Sequence, residues 1–213
     1  MKTPPMPRQW LFLLPCALGA LGLFLARRAG DGSPGFFAAT LATAAIYGLA
    51  WWVWGNRSAF AGPRKLNDVA LGVAAGLALA LVFFLGALVV ARIPFLAEPA
   101  TELLATPEKG GLAPTLAVLV LNGVGEELVY RDMVPRQLRL LGMSINAQGL
   151  WSTLLYTLIT VAMGVPLLLV GACLLGALAF VLAARTGRCL APIAAHLTWS
   201  TSMALVLPLL LTR

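Results

Sequence analysis

The sequence predicts an all-α fold, a polytopic bundle of about seven transmembrane helices. Of its 213 residues, 60% are hydrophobic and only 11% are charged, and the mean hydropathy is +0.90. A soluble domain with a polar surface cannot sustain these values. Hydrophobic runs of about 17 residues or more recur along almost the whole chain, which leaves little room for a separate soluble domain.

Seven hydrophobic segments are the candidate spans. They cover residues 10–26, 35–54, 69–91, 113–131, 148–163, 166–184 and 191–211. We interpret them as one membrane domain. Its N-terminal part, residues 1–112, holds three helices and a connecting loop, and its C-terminal part, residues 113–213, holds the remaining four.

The first span has the charge pattern of a secretory signal, because Lys2 and Arg8 precede its apolar core. That core ends in LARRAG rather than in a small-residue cleavage site. We therefore interpret it as a retained first helix.

Glycine and proline residues predict a close helix contact, a connection and a turn in the rest of the chain. Gly72 and Gly76 form a GxxxG pattern in the third span, which favours close contact within the bundle over dimerisation. The connection from 92 to 113 contains three prolines and three glutamates, and a solvated loop is favoured there over a lid or an amphipathic surface helix. Gly164 and Pro166 predict a tight turn that joins the fifth and sixth spans as a hairpin.

The basic residues predict the orientation of the chain. A formal charge of +7 is compatible with nucleic-acid binding, but Lys and Arg stand singly or in pairs at the ends of hydrophobic runs, as membrane flanks do. We therefore expect the lipid bilayer, and not nucleic acid, as a partner. Ten basic residues fall on one set of alternate ends and five on the other, which places the N-terminus in the cytoplasm.

Two adjacent carboxylates lie in the fourth span. Charges at bilayer depth are costly, so intramembrane acids usually face the protein interior and mark a functional site. Glu127 and Arg131 are four residues apart on one helix face and can form a structural ion pair. Glu126 points elsewhere and has no cation at helical spacing. An unpaired carboxyl group in a low-dielectric site can take a proton from water and return it to a leaving group, as hydrolysis requires. The alternative is that both glutamates form a solvated helix end beside the neighbouring arginines.

His196, the single histidine, lies a few residues into the last span, with Ser200 one turn further on the same face. An imidazole and a hydroxyl group could stabilise an oxyanion or position a water molecule. The alternative role is a hydrogen-bonded core histidine. A metal site is disfavoured because HExxH is absent and a third ligand would have to come from the Glu127–Arg131 pair, so we expect no metal and no cofactor.

These residues resemble a known family. GEELVYRDMVPRQL is similar to the EExxxR motif of the CAAX prenyl protease and bacteriocin-processing family of glutamate-dependent intramembrane proteases, and TGRCLAPIAAHLTWS is similar to its last motif. The resemblance covers residues 113 to 211. It implies that Glu126 activates water, that Glu127 and Arg131 support it, and that His196 belongs to the pair that binds the oxyanion.

Two positions depart from the family pattern. The middle motif of the family is an aromatic residue followed four positions later by histidine, and here Tyr156 is followed by Thr160. The asparagine that closes the last motif is replaced by Ser200. Threonine cannot carry a positive charge or relay a proton near neutral pH, whereas serine remains a donor with a shorter reach.

The resemblance implies a seven-helix protease in the bacterial inner membrane, with a polar cavity between the fourth, fifth and seventh helices. Its substrate would be a membrane-anchored protein cut in or near its C-terminal tail or anchor, as the sorting-type myxosortases cut theirs. The altered motifs leave a second hypothesis open, a catalytically silent binder, chaperone or immunity protein. A small-solute transporter is disfavoured because no paired, Gly- or Pro-broken helices occur in matching halves.

Overall fold

A computed structural model describes residues 10–211 of the chain, and this part contains helices and no strands. The α-helices are α1 Leu13–Ala29, α2 Pro34–Trp54, α3 Lys65–Val90, α4 Pro94–Leu104, α5 Thr106–Gly110, α6 Leu112–Glu127, α7 Val134–Leu140, α8 Ile145–Thr160, α9 Pro166–Thr186, α10 Leu190–Val206 and α11 Pro208–Leu211. A π-helix, Leu128–Met133, joins α6 to α7, and short 3₁₀ helices cover Arg57–Phe60 and Val161–Met163.

Each predicted span corresponds to one of these helices, and the all-α polytopic fold is confirmed. Four continuous helical segments are long and apolar enough to cross a bilayer: Pro34–Trp54, Lys65–Val90, Leu112–Leu140 and Pro166–Thr186. The helices α1, α8 and α10, of 17, 16 and 17 residues, are shorter. The protein is therefore an integral membrane protein.

The fourth span continues beyond its predicted end at residue 131. Proline lacks a backbone N–H, so Pro135 cannot donate to the carbonyl of Arg131 as a regular helix requires. The chain instead widens into the π-helix, in which the N–H of Val134 donates to the carbonyl of Val129, five residues back. The helix then resumes to Leu140.

The connection from 92 to 113 is helical, so the expected solvated loop is wrong. Pro94 occupies the first turn of α4, where its missing N–H has no cost. Leu103 and Leu104 contact Trp199 and Met203 around a shared apolar pocket, and burial of these side chains holds the segment against the bundle. The sequence pattern missed this because its prolines fall at helix starts or on a half-buried face.

The tight turn between α8 and α9 is present as predicted. Gly164 adopts a left-handed conformation with φ of 66°, and α9 begins at Pro166. The two helices therefore form the expected hairpin.

Basic residues collect at one end of the bundle. Cys189 N donates to Ala59 O at 3.0 Å, Arg188 pairs with Asp68, and the backbone N–H of Asn56 donates to Asp132 at 2.6 Å. These contacts join the loops 55–64 and 187–189 to each other, to α3 and to the π-helix. We call this end of the bundle the basic end. The opposite end carries Asp31, Glu98, Glu102 and Glu108 and is called the acidic end. Lys2 and Arg8, which contributed to the predicted orientation, lie outside the described residues, and the cytoplasmic N-terminus stays a prediction.

The GxxxG pattern of α3 lies against α10, as expected for contact within the bundle. A Cβ atom on Gly72 would approach the carbonyl oxygen of Ala191 to 2.2 Å, and one on Gly76 would approach that of Ala195 to 2.5 Å. Only glycine allows the two backbones to come this close, and α10 is the helix that carries His196.

We expect Gly72→Ala to destabilise the protein by about 1–3 kcal/mol, because the added methyl group must push α3 away from α10. Gly86→Ala is the matched control in the same helix, since nothing lies within 4 Å of its Cβ position. Denaturant or thermal unfolding in detergent measures both. Equal stability of the two variants would contradict the close α3–α10 contact.

Candidate active site

The candidate residues meet where α6, α8 and α10 face one another. A cavity of about 180 Å³ lies between them, and α1 and α9 complete its wall. Glu126, Tyr156, Thr160, His196 and Ser200 all line it, together with Asn122. Glu127 and Arg131 lie behind this wall. Five of the seven predicted residues therefore share one cavity, and the other two support it.

Glu127 is the fully buried centre of the cluster, with a side chain that is 0% exposed. Its Oε2 lies 3.0 Å from Arg131 Nε, which is the expected i, i+4 ion pair. Its Oε1 lies 2.7 Å from His196 Nδ1. A carboxylate oxygen can only accept, so His196 donates from Nδ1. One carboxylate thus joins the fourth-span helix to α10.

The Arg131 guanidinium contacts a carboxylate at its edge and an aromatic ring on its face. The guanidinium carbon lies 4.5 Å from the centre of the Tyr156 ring, within range of a cation–π contact. The Arg131 side chain is only 1% exposed. Its charge is therefore balanced inside the protein by Glu127 and Tyr156 and not by water.

Glu126 is the acid that reaches the cavity, with a side chain that is 15% exposed. Tyr156 donates its hydroxyl hydrogen to Glu126 Oε2 at 2.7 Å. His196 Nε2 lies 3.8 Å from the same oxygen. Oε1 of Glu126 has no hydrogen-bond partner within residues 10–211, so it can bind a water molecule.

The cluster is balanced in charge when His196 carries both ring protons. Two carboxylates, Glu126 and Glu127, then face one guanidinium and one imidazolium. Burial of ions is costly unless they are paired, and here each buried ion has an opposite charge beside it. The Arg131 nitrogens and Glu127 Oε2 have no hydrogen-bond partner among the described residues, so the pair is held by charge rather than by well-aligned hydrogen bonds. The alternative of a solvated helix end does not fit Glu127, because it is fully buried.

Thr160 and Ser200 line the cavity but use their hydroxyl hydrogens elsewhere. Thr160 donates to the carbonyl of Tyr156 at 2.9 Å, and Ser200 donates to the carbonyl of His196 at 2.8 Å. Each hydroxyl group would have to rotate before it could donate to a ligand. His196 is therefore the donor that is already directed at the cavity.

Asn122 is a residue whose environment the sequence did not reveal. Its Nδ2 donates to the carbonyls of Thr40 and Val118 at 3.1 and 3.0 Å, which fixes the amide orientation. Its Oδ1 is buried and has no partner among the described residues, and the same holds for Nε1 of Trp199. Both residues line the cavity. The sequence shows a polar residue one turn before Glu126, but it does not show that the hydrogen-bond partner of this residue lies on α2.

Tyr47 was also missed. Its hydroxyl group lies 3.0 Å from that of Tyr130, and both rings are buried beside Tyr156. A lone tyrosine in an otherwise apolar span was the available signal. The contact fixes α2 against the π-helix.

A second, apolar chamber adjoins the cavity on the side of the acidic end. It measures about 230 Å³ and shares Leu119, Asn122, Trp199 and Ser200 with the cavity. Leu103, Leu104 and Thr106 of the α4–α5 segment also line it. The charged site therefore adjoins an apolar space.

The fold and the site define a class, a polytopic membrane protein with a charged cavity enclosed by its helices. Residues 108–202 match the family described as Type II CAAX prenyl endopeptidase Rce1-like. This segment is therefore similar to the CAAX prenyl protease and bacteriocin-processing family of intramembrane proteases. All seven candidate residues lie inside the matched segment. Comparison with curated proteins and with solved structures gave no match.

We expect Arg131→Met to cost about 3–5 kcal/mol of stability, because it leaves the buried Glu127 carboxylate without its cation. The double variant Glu127→Gln/Arg131→Met should lose less than the sum of the two single variants. Unfolding in detergent measures this double-mutant cycle.

Arg57→Met is the control for loss of an arginine, since Arg57 stacks on the exposed ring of Trp52. Additive single effects in the cycle, or equal losses for Arg131→Met and Arg57→Met, would contradict a structural pair.

Proposed function

We propose that this protein is a glutamate-dependent intramembrane endopeptidase that cuts a membrane-anchored protein in or near its C-terminal tail or anchor. The observation that carries the proposal is the position of Glu126, hydrogen-bonded to Tyr156 and 3.8 Å from His196 Nε2 on the wall of a shared cavity. The family relationship supports protease chemistry in general.

In the proposed reaction Glu126 takes a proton from water while the water oxygen bonds to the scissile carbonyl carbon. His196 with both ring protons donates from Nε2 to the developing oxyanion. Glu126 then gives its proton to the amide nitrogen, the C–N bond breaks, and a carboxylic acid and an amine leave. Glu127 stabilises the imidazolium through Nδ1, and Tyr156 holds Glu126 in place.

Two features support a peptide from a membrane segment as the substrate. Asn122 Oδ1 and Trp199 Nε1 are buried and lack partners among the described residues. After a side-chain movement that exposes them, the first can accept a backbone N–H and the second can donate to a backbone carbonyl. The adjoining apolar chamber suits hydrophobic side chains on one side of the cut. A substrate segment would enter laterally from the bilayer. We place the protein in a bacterial inner membrane with its basic end in the cytoplasm.

A specific observation favours a second function, a catalytically silent membrane binder that uses the same cavity. Thr160 and Ser200 stand at the two positions where the family pattern has histidine and asparagine, and both hydroxyl groups are bonded to their own helices. Loss of an acid–base group lowers a rate by about 10²–10⁴-fold, and loss of an oxyanion donor lowers it by about 10²–10³-fold. The following experiments separate the two functions.

We expect Glu126→Gln to lower cleavage by about 10²–10⁴-fold, because the amide cannot accept the water proton. Membrane-protein termini, compared by peptide mass spectrometry between cells with the wild-type and the variant protein at matched expression, should show uncut C-terminal tails in the variant. Glu98→Gln, an exposed glutamate of α4, is the control. Identical termini in all three strains would favour the silent binder, which should tolerate a near-isosteric change.

We expect Thr160→His to raise cleavage by about tenfold or more, since it places an imidazole on the cavity wall that Glu126 shares. The gain should vanish in Thr160→His/Glu126→Gln. The same terminal peptides, normalised to folded protein, provide the measurement. A gain that persists without Glu126 would contradict the proposed mechanism.

A further inference from the structure

A polar pocket lies at the basic end, away from the site described above. It measures about 260 Å³, and its polar lining residues are Asn56, Arg131, Asp132, Arg136, Arg139, Gln148 and Arg188. Of these, Arg131 is already paired with Glu127. It shares no lining residue with the cavity of Glu126. The proposed catalytic steps do not use it.

The carboxylate in this pocket, that of Asp132, already has hydrogen-bond donors from the protein. Asp132 Oδ2 accepts hydrogen bonds from Trp51 Nε1 and from the backbone N–H of Asn56, each at 2.6 Å. Arg188 pairs with Asp68, which lies outside the pocket. Asp132 is therefore held in place without an arginine, and its single negative charge cannot offset both of the unpaired guanidinium charges of this pocket.

Arg136 and Arg139 are the unbalanced charges. They lie three residues apart on α7, so they share one helix face. Within residues 10–211, no carboxylate lies within ion-pair distance of either side chain. Two guanidinium groups with no internal partner thus face a concave polar space, with Arg188 on the opposite wall.

The position of the pocket relative to the membrane indicates which kind of ligand it binds. Five of the six tryptophans, Trp10, Trp51, Trp52, Trp54 and Trp151, lie at the basic end of the bundle. Tryptophan concentrates at the level of lipid headgroups, so the pocket opens at that level. Arginine binds phosphate oxygens through two parallel hydrogen bonds, which a planar guanidinium fits well.

We propose that this pocket binds the phosphate of an anionic lipid headgroup through Arg136 and Arg139. The bound lipid links α7, α8 and the α9–α10 loop. The lipid would lie at the basic end of the helical segment 112–140, which also carries the Glu127–Arg131 pair. The proposal is independent of protease activity, because none of its residues lines the catalytic cavity.

The test uses the full-length protein in nanodiscs of phosphatidylcholine alone or with added phosphatidylglycerol. We expect phosphatidylglycerol to raise the melting temperature of the wild-type protein and to remain bound in native mass spectrometry. Arg136→Gln/Arg139→Gln should bind it roughly 10- to 30-fold more weakly. Arg57→Gln/Arg185→Gln removes the same charge from exposed positions at the same end and should behave as the wild type.

Three results would overturn the proposal. An equal loss of phosphatidylglycerol binding in Arg57→Gln/Arg185→Gln would show that the effect comes from general surface charge. Inorganic phosphate that stabilises the protein in phosphatidylcholine discs as strongly as phosphatidylglycerol would assign the pocket to a soluble anion. A wild-type protein that does not respond to phosphatidylglycerol would show that no lipid site exists. Catalytic failure of the Glu126 experiments would leave all three outcomes unaffected.

Discussion

The structure depends on one buried carboxylate that Arg131 and His196 share. Glu127 holds Arg131 at 3.0 Å through one oxygen and His196 at 2.7 Å through the other, with no exposure to solvent. In a medium of low dielectric constant, loss of either Glu127 or Arg131 leaves an uncompensated charge, and loss of His196 leaves a carboxylate oxygen without its donor. This cluster fixes α10 against the fourth span, and the fixed imidazole in turn presents Nε2 to Glu126.

Backbone geometry makes this cluster possible. The glycines of α3 let α10 approach closely enough to place His196 in the centre of the bundle. On the other side, Pro135 removes one helical hydrogen bond, and the π-helix that results carries Tyr130 and Arg131. π-helices are rare and occur mostly at functional sites, because the widened turn redirects side chains that a regular helix would place elsewhere. Here the widened turn directs Arg131 onto the Tyr156 ring.

The two ends of the molecule have different chemistry. Toward the acidic end, the cavity of Glu126 continues into an apolar chamber covered by α4 and α5, so a substrate can reach the carboxylate through a water-poor space. Toward the basic end, the buried Tyr47–Tyr130 pair and the Glu127–Arg131 pair separate the site from the arginine pocket. A hydrophobic peptide and an anionic headgroup would therefore occupy opposite sides of the same charged cluster.

The sequence by itself determined the features that depend on local spacing. Helical periodicity and hydropathy predict the seven helices, the GxxxG contact face, the hairpin at Gly164 and the Glu127–Arg131 pair, because each follows from residues within a few turns of one another. Tertiary structure decided the rest. That His196 donates to Glu127, that Tyr156 holds Glu126, that Asn122 finds its partner on α2 and that residues 94–110 form helices against the bundle all depend on helices distant in sequence. Hydroxyl groups such as those of Thr160 and Ser200 can donate either to a ligand or to their own helix, and only the surrounding geometry selects between these two options.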